Sequence, residues 1–288
     1  MHHFLNLAAC LFFVRFTLIL CSGIVLSFGA SGQQVSRYCS QQWACAGVDK
    51  SDNGFAIWMA NEKAWPITMT LSLNTRNLQD HTGQRDEFEF TRVLAPNTKL
   101  KVADLRKIKP AAAVSRNYSF QWTVGDMHAK HNDAVLYRLP YAKGKTYYVV
   151  QGYNGGYSHR GASRFALDFM MPEGTPVHAA RTGVVVDVTE QHTLGGADPK
   201  YSQYANFVVV LHNDGTTGEY YHLQHQGAAV AVGDKIETGE LLGFSGNTGF
   251  SSLPHLHFAV YRARPNGGYE SIKVDFAQKP KSYFERGE

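Results

Sequence analysis

Period-two alternation, with almost no competing period, is what most constrains the fold of this chain. Ile67, Met69, Leu71 and Leu73 alternate with Thr68, Thr70 and Ser72. Phe88 and Phe90 alternate with Glu87 and Glu89, and Tyr118, Phe120 and Trp122 repeat the pattern. Successive strand side chains point to opposite faces, so these runs read as half-buried strands. After a linker around residues 141–145 the pattern changes. Glycines become dense, and the runs between them are short and strongly apolar, such as Val184-Val185-Val186 and Phe207-Val208-Val209-Val210-Leu211. Asn213-Asp214-Gly215 suits a hairpin turn between residues 207–212 and 217–222. The expectation is an all-β protein. A β-sandwich-like module over 33–148 precedes an antiparallel β-sheet domain over 149–288. Residues 103–113 are the one stretch expected to hold a short helix.

The first 32 residues read differently from the rest. Residues 16–28 are nearly all apolar, Arg15 precedes them, and Gly29-Ala30-Ser31-Gly32 supplies small residues for cleavage. This is the pattern of a signal peptide. Leu20 before Cys21 argues against lipidation, and the run is short for a membrane span. The expected mature chain is exported to the periplasm or cell envelope, or secreted, with no stable membrane insertion. Cleavage would leave Cys39 and Cys45, which in an exported protein are expected to form a disulfide. The 288 residues are 44% hydrophobic and 18% charged, enough apolar material for a real core. A net charge of +4 without a Lys/Arg-rich run gives no sign of nucleic-acid binding.

The chemistry converges on Pro254-His255-Leu256-His257-Phe258. On a strand His255 and His257 share a face, where one imidazole can ligate a metal while the other handles protons. Three further segments supply partners. They are Ser158-His159 with Ala166-Leu167-Asp168-Phe169, then Tyr220-Tyr221-His222-Leu223, then the loop Gly246-Asn247-Thr248-Gly249. No His-Glu-x-x-His helix is present to supply a general base. Tyr153 and Asn206 are candidate substrate contacts, each set against the plainer reading of a packed tyrosine and a polar residue at a strand start. His128 and His131 read as belonging to a solvated loop, and His178, His192, His212 and His225 as structural or exposed.

Taken in order, these segments resemble the LytM/lysostaphin-type zinc metallopeptidases, which cut peptide bonds in bacterial peptidoglycan. Pro172-Glu173-Gly174-Thr175-Pro176-Val177 and Gly233-Asp234-Lys235-Ile236 with Gly239-Glu240-Leu241-Leu242-Gly243 extend the likeness. It covers about residues 153–262. The resemblance implies that His159, Asp168 and His257 hold one zinc ion per chain. It implies that His222 and His255 act beside the metal on protons and the oxyanion, and leaves open which is the base. The substrate implied is peptidoglycan, and protein partners are not indicated. Here nine positions separate His159 from Asp168, where the commoner pattern has four; a longer loop is expected to bring the same ligands together. The alternative is an inactive relative that binds and activates another wall hydrolase, although such relatives lose site residues and this chain keeps all five. A likeness of residues 232–243 to biotinyl/lipoyl domains lacks the modifiable hairpin lysine and is set aside.

Overall fold

The computed structural model describes residues 36–51 and 54–282. The expected signal peptide lies outside these residues. Among them no helix is long and apolar enough to cross a membrane. Two sheets dominate. The first holds seven strands: Ser36–Ser40, Ala44–Ser51, Gly54–Asn61, Thr98–Lys107, Ile67–Gln79 and Arg85–Leu94 in spatial order, with Ser115–Val124 on the other edge of Ile67–Gln79. The long strand Ile67–Gln79 pairs with Ser115–Val124 as far as Arg76, then passes Leu78 and Gln79 to Lys107 and Arg106. Asn77, at a φ of 64°, marks that corner. Ala46, Ile57 and Met59 from one part of the sheet meet Met69, Leu71 and Leu73 from the other in one core.

The helix expected over 103–113 is not there. Thr98–Lys107 is a strand paired along its length with Gly54–Asn61, with Leu105 buried. Pairing with an apolar neighbour strand overrides the weak local helix preference of Ala103-Asp104-Leu105-Arg106-Lys107. The Cys39–Cys45 disulfide joins residues that face each other across the first hairpin.

The second sheet has nine strands. Its centre runs Gly183–Thr189, Phe207–Leu211, Thr217–Tyr221, Leu256–Ala263, Leu167–Phe169 and Tyr148–Gln151. The expected hairpin at residues 213–215 is present, with Leu211 opposite Thr217. One face of this sheet carries Val208, Val210, Tyr220, Phe258 and Val260. They pack with Val177, Leu223 and Leu242 of a three-stranded sheet, Pro176–His178, Leu241–Ser245 and Leu223–Ala228. Alternation then puts the intervening residues on the opposite face. At one end of that face Phe207, Val209 and Leu211 pack, with Val186, into the core of the first sheet. The Asn266 amide also donates to Thr70 Oγ1 at 2.9 Å, tying the two sheets together. The rest of the same face carries Asp168, His257 and Tyr221.

Candidate active site

Four strands set the centre of the site by register alone. Asp168 lies directly opposite His257 on one side and Gln151 on the other, and Tyr221 lies opposite His257. Directly opposed strand residues have Cβ atoms about 5 Å apart on one face, so these side chains must meet. His159 enters from a loop. The nine-residue spacing to Asp168 is taken up by a short 3-10 turn, Gly161–Ser163, and His159 Nε2 still reaches Asp168 Oδ1 at 3.0 Å. His257 Nδ1 lies 2.9 Å from the same oxygen. The donor atoms of His159, Asp168 and His257 all lie within 4.8 Å of one another, a set able to hold a metal ion.

Each of the three side chains is oriented from behind. His159 Nδ1 donates to the Gly152 carbonyl at 2.9 Å, which leaves the Nε2 lone pair turned toward Asp168. His257 Nε2 sits 3.4 Å from the Tyr261 hydroxyl, which donates to Ser163 Oγ. The proton then sits on Nε2, and Nδ1 offers its lone pair beside Asp168. Asp168 Oδ2 accepts from Gln151 Nε2 at 2.8 Å. Gln151 Oε1 in turn accepts the amides of Tyr157 and Ser158, fixing the loop that carries His159. Burial raises the Asp168 carboxyl, but the neighbouring imidazoles of His255, His159 and His257 outweigh it. They hold the group well below the usual carboxylate range.

His222 and His255 sit side by side, with ring centroids 4.6 Å apart. His222 occupies the corner where the chain leaves strand Thr217–Tyr221 of the large sheet for strand Leu223–Ala228 of the small one. Its φ is 66°, a left-handed conformation that a residue with a side chain rarely adopts. The Thr248 carbonyl accepts from His222 Nδ1 at 2.7 Å. Thr248 Oγ1 donates to the Leu223 carbonyl and accepts from the Asn206 amide, so the loop and the corner are locked together. Gly249 follows at a φ of 79°, where a Cβ would lie 2.6 Å from that of Ala205. His255 Nδ1 donates to the Leu253 carbonyl at 2.7 Å, with Ser251 Oγ at 3.0 Å. Both histidines thus spend Nδ1 on the protein and keep Nε2 for the site; that of His255 is 3.7 Å from Asp168 Oδ1. Burial, then the neighbouring His255 and His257, push the His222 imidazole well below its ordinary pKa, toward the neutral form. His257 is lowered too, first by burial, against the opposing pull of Asp168.

Residues 162–270 match the model of peptidase family M23. They form an M23 peptidase domain. Glycyl-glycine endopeptidase ALE-1 of Staphylococcus capitis is 35% identical to this chain over 133 residues, 45% of this chain and 32% of the relative. Peptidoglycan DD-endopeptidase ShyA of Vibrio cholerae is 38% identical over 107 residues, 37% of this chain and 22% of the relative. The chain therefore spans a third or less of these two curated relatives. The crystal structure of the lysostaphin catalytic domain from Staphylococcus simulans is 30% identical, with 44% of this chain and 87% of that chain covered at a TM-score of 0.31. Asp168, His222, His255 and His257 fall within the M23 domain, and His159 just ahead of it.

The two candidate substrate contacts are both engaged within the protein. The Tyr153 hydroxyl donates to the Val274 carbonyl at 3.0 Å, and its ring packs edge-on against Phe165. Asn206 is fully buried; its Oδ1 accepts the His192 amide and its Nδ2 donates to the carbonyls of His192, Leu223 and Gln224. It staples the loop before strand Phe207–Leu211 to the His222 corner. His131 is not solvated as its loop suggested, since its ring stacks on Tyr137 and bonds to the tyrosine hydroxyl. Sequence reading missed Gln151 and Ser251 as orienting groups. Gln151 ends a strand with nothing local to mark it, whereas Ser251 lies between the Gly246–Gly249 loop and His255, both already singled out.

Proposed function

We propose that the chain is a zinc-dependent endopeptidase that hydrolyses peptide bonds in bacterial peptidoglycan, in its cross-links or stem peptides. The observation that carries this is the convergence of His159 Nε2, Asp168 Oδ1 and His257 Nδ1, with His222 and His255 adjacent and turned to the same site. The donor set suits zinc. Two imidazoles and a carboxylate leave one tetrahedral position open, as in catalytic sites. Atoms held ~2.1 Å from one ion at tetrahedral angles stand roughly 3.4 Å apart, close to the 2.9 and 3.0 Å seen to Asp168 Oδ1. When bound, the ion polarises a substrate carbonyl and lowers the pKa of its water to ~7.

The chain's own residues supply the rest. His222 is kept neutral by burial and takes the proton from the attacking water at Nε2. His255, oriented through Nδ1 by Leu253, would in its doubly protonated form present an Nε2–H to the oxyanion that develops on the scissile carbonyl. Either imidazole lies close enough to return the proton to the leaving amine. Residues 1–32 serve as the export signal, 33–148 as a positioning module and 149–288 as the peptidase domain. The Cys39–Cys45 disulfide supports an oxidising, extracytoplasmic location.

Purified residues 33–288 are expected to release soluble peptides from wall sacculi and to stop when zinc is chelated. Intact sacculi in the presence of folded, zinc-loaded protein would refute wall hydrolysis. They would favour the reading as an activator of another hydrolase.

A further inference from the structure

Three of the large apolar side chains left exposed among the described residues sit on the loops that carry the site. They are Tyr157, Leu194 and Leu253, at 61%, 51% and 40% exposure. Tyr157 stands two positions before His159. The Leu194 carbonyl accepts from the Gly249 amide at 2.9 Å, next to Thr248, whose carbonyl holds His222. The Leu253 carbonyl holds His255. Phe250 pairs with Gly196 and lines a small cavity together with His222 and His257. The polar centre is thus bordered by apolar side chains, none of which carries a charge.

Tyr157 is fixed at both ends. Its amide donates to Gln151 Oε1 at 3.1 Å, and Gln151 Nε2 donates to Asp168. Its hydroxyl donates to the Ala197 carbonyl at 3.1 Å, just beyond the residues that pair with Gly249 and Phe250. Its ring lies against Phe250, with centroids 5.4 Å apart. The tyrosine therefore joins the loop bearing His159 to the paired loops that hold His222 and His255. Its ring is held in place while most of the residue stays in solvent. A rigid exposed aromatic offers contact area at low entropic cost, which is how binding surfaces use tyrosine. Rings and aliphatic carbons suit flat peptide units and small aliphatic side chains. A charged side chain would lose its water there without a partner to replace it.

We infer that Tyr157 is a substrate contact: its ring receives an uncharged stretch of the wall peptide beside the cleaved bond, and its tie to Ala197 holds the ring in place for it. This rests on the reading of the site as a peptidase.

Two non-hydrolysable ketomethylene peptides, one built on a D-alanyl–diamino acid junction and one on a glycine bridge, are titrated by calorimetry into the zinc-loaded chain. The natural protein is compared with Tyr157→Phe and Tyr157→Ala. Both variants keep the backbone amide that Gln151 accepts, so zinc content and the urea midpoint should not move. For the peptide that binds the natural chain, Tyr157→Ala is expected to lose affinity about tenfold or more, as truncation of an aromatic anchor does. Tyr157→Phe keeps the ring, loses the tie to Ala197 and should fall between the two. A merely structural tyrosine would shift the midpoint or the zinc content and leave the affinity of the zinc-loaded molecules unchanged. Equal affinity in the natural chain and Tyr157→Ala overturns the inference. Sacculus digestion is scored separately. Digestion without Tyr157-dependent binding sinks the contact alone, and Tyr157-dependent binding without digestion sinks the peptidase reading alone.

Discussion

Replacing His212 with asparagine should flatten the acid sensitivity of this fold. His212 is buried at the end of the hairpin that carries Asp214. Its Nδ1 donates to the Thr182 carbonyl at 2.9 Å, while Nε2 has no hydrogen-bond partner among the described residues. Gly218 packs so closely that a Cβ there would lie 2.9 Å from Nε2. Burial, with Arg181 and His131 adding like charge, lowers the imidazole from 6.5 to about 4, against the opposing effects of Thr182 and Asp214. The unfolded chain therefore takes up a proton from about pH 6.5 downward that the folded chain refuses until about pH 4. Stability must fall as pH falls through that window. Each tenfold difference in proton affinity between the folded and unfolded chain is worth about 1.4 kcal/mol, so the full difference is about 3 kcal/mol. Asp214, lowered to about 2 against burial by Thr216 and Arg181, adds a further loss below pH 3.8. Asparagine retains an N–H for Thr182 and does not titrate. Urea melts of both proteins at pH 7.0, 5.5 and 4.5 should show the natural chain losing stability more steeply, by about 1 kcal/mol per pH unit. Parallel slopes would refute this account of His212.

Gln151→Leu removes the amide that holds both Asp168 and the His159 loop, and should weaken zinc affinity roughly 10–100-fold in a competitive chelator titration, with the fold intact. Breaking the Cys39–Cys45 disulfide, with a sequence separation of only six, should cost about 2 kcal/mol in a denaturant melt, because so short a loop has little closure entropy to restore. A fragment beginning at residue 149 uncovers Val186, Phe207, Val209 and Leu211, and should aggregate where the longer chain stays monodisperse in light scattering.

The meeting of His257 and Asp168 could be read from the chain because strand geometry carries it. His257 and Asp168 each sit in short strands with apolar residues on both sides, and the pleat leaves only one face for them. The hairpin at 213–215 was equally legible, since its turn residues demand it. The strand over residues 98–107 was not, because its partner is the distant strand Gly54–Asn61 and local preference says nothing of that. The same holds for Asn206. A polar residue ahead of a strand looks exposed until the three carbonyls that surround it are brought in from residues 192, 223 and 224. The unusual backbone of His222 was also hidden. It arises because the chain must pass from one sheet to another at that residue, and only the assembled layers show this.

The positions of His255 and His257, two residues apart and assigned different roles in the proposed mechanism, give the most direct test. Zinc content and sacculus digestion would be measured on the natural chain, His257→Ala and His255→Ala. The account predicts one zinc per chain and active digestion for the natural protein, loss of both for His257→Ala, and retained zinc with most activity lost for His255→Ala. Zinc and activity kept in both variants would contradict it.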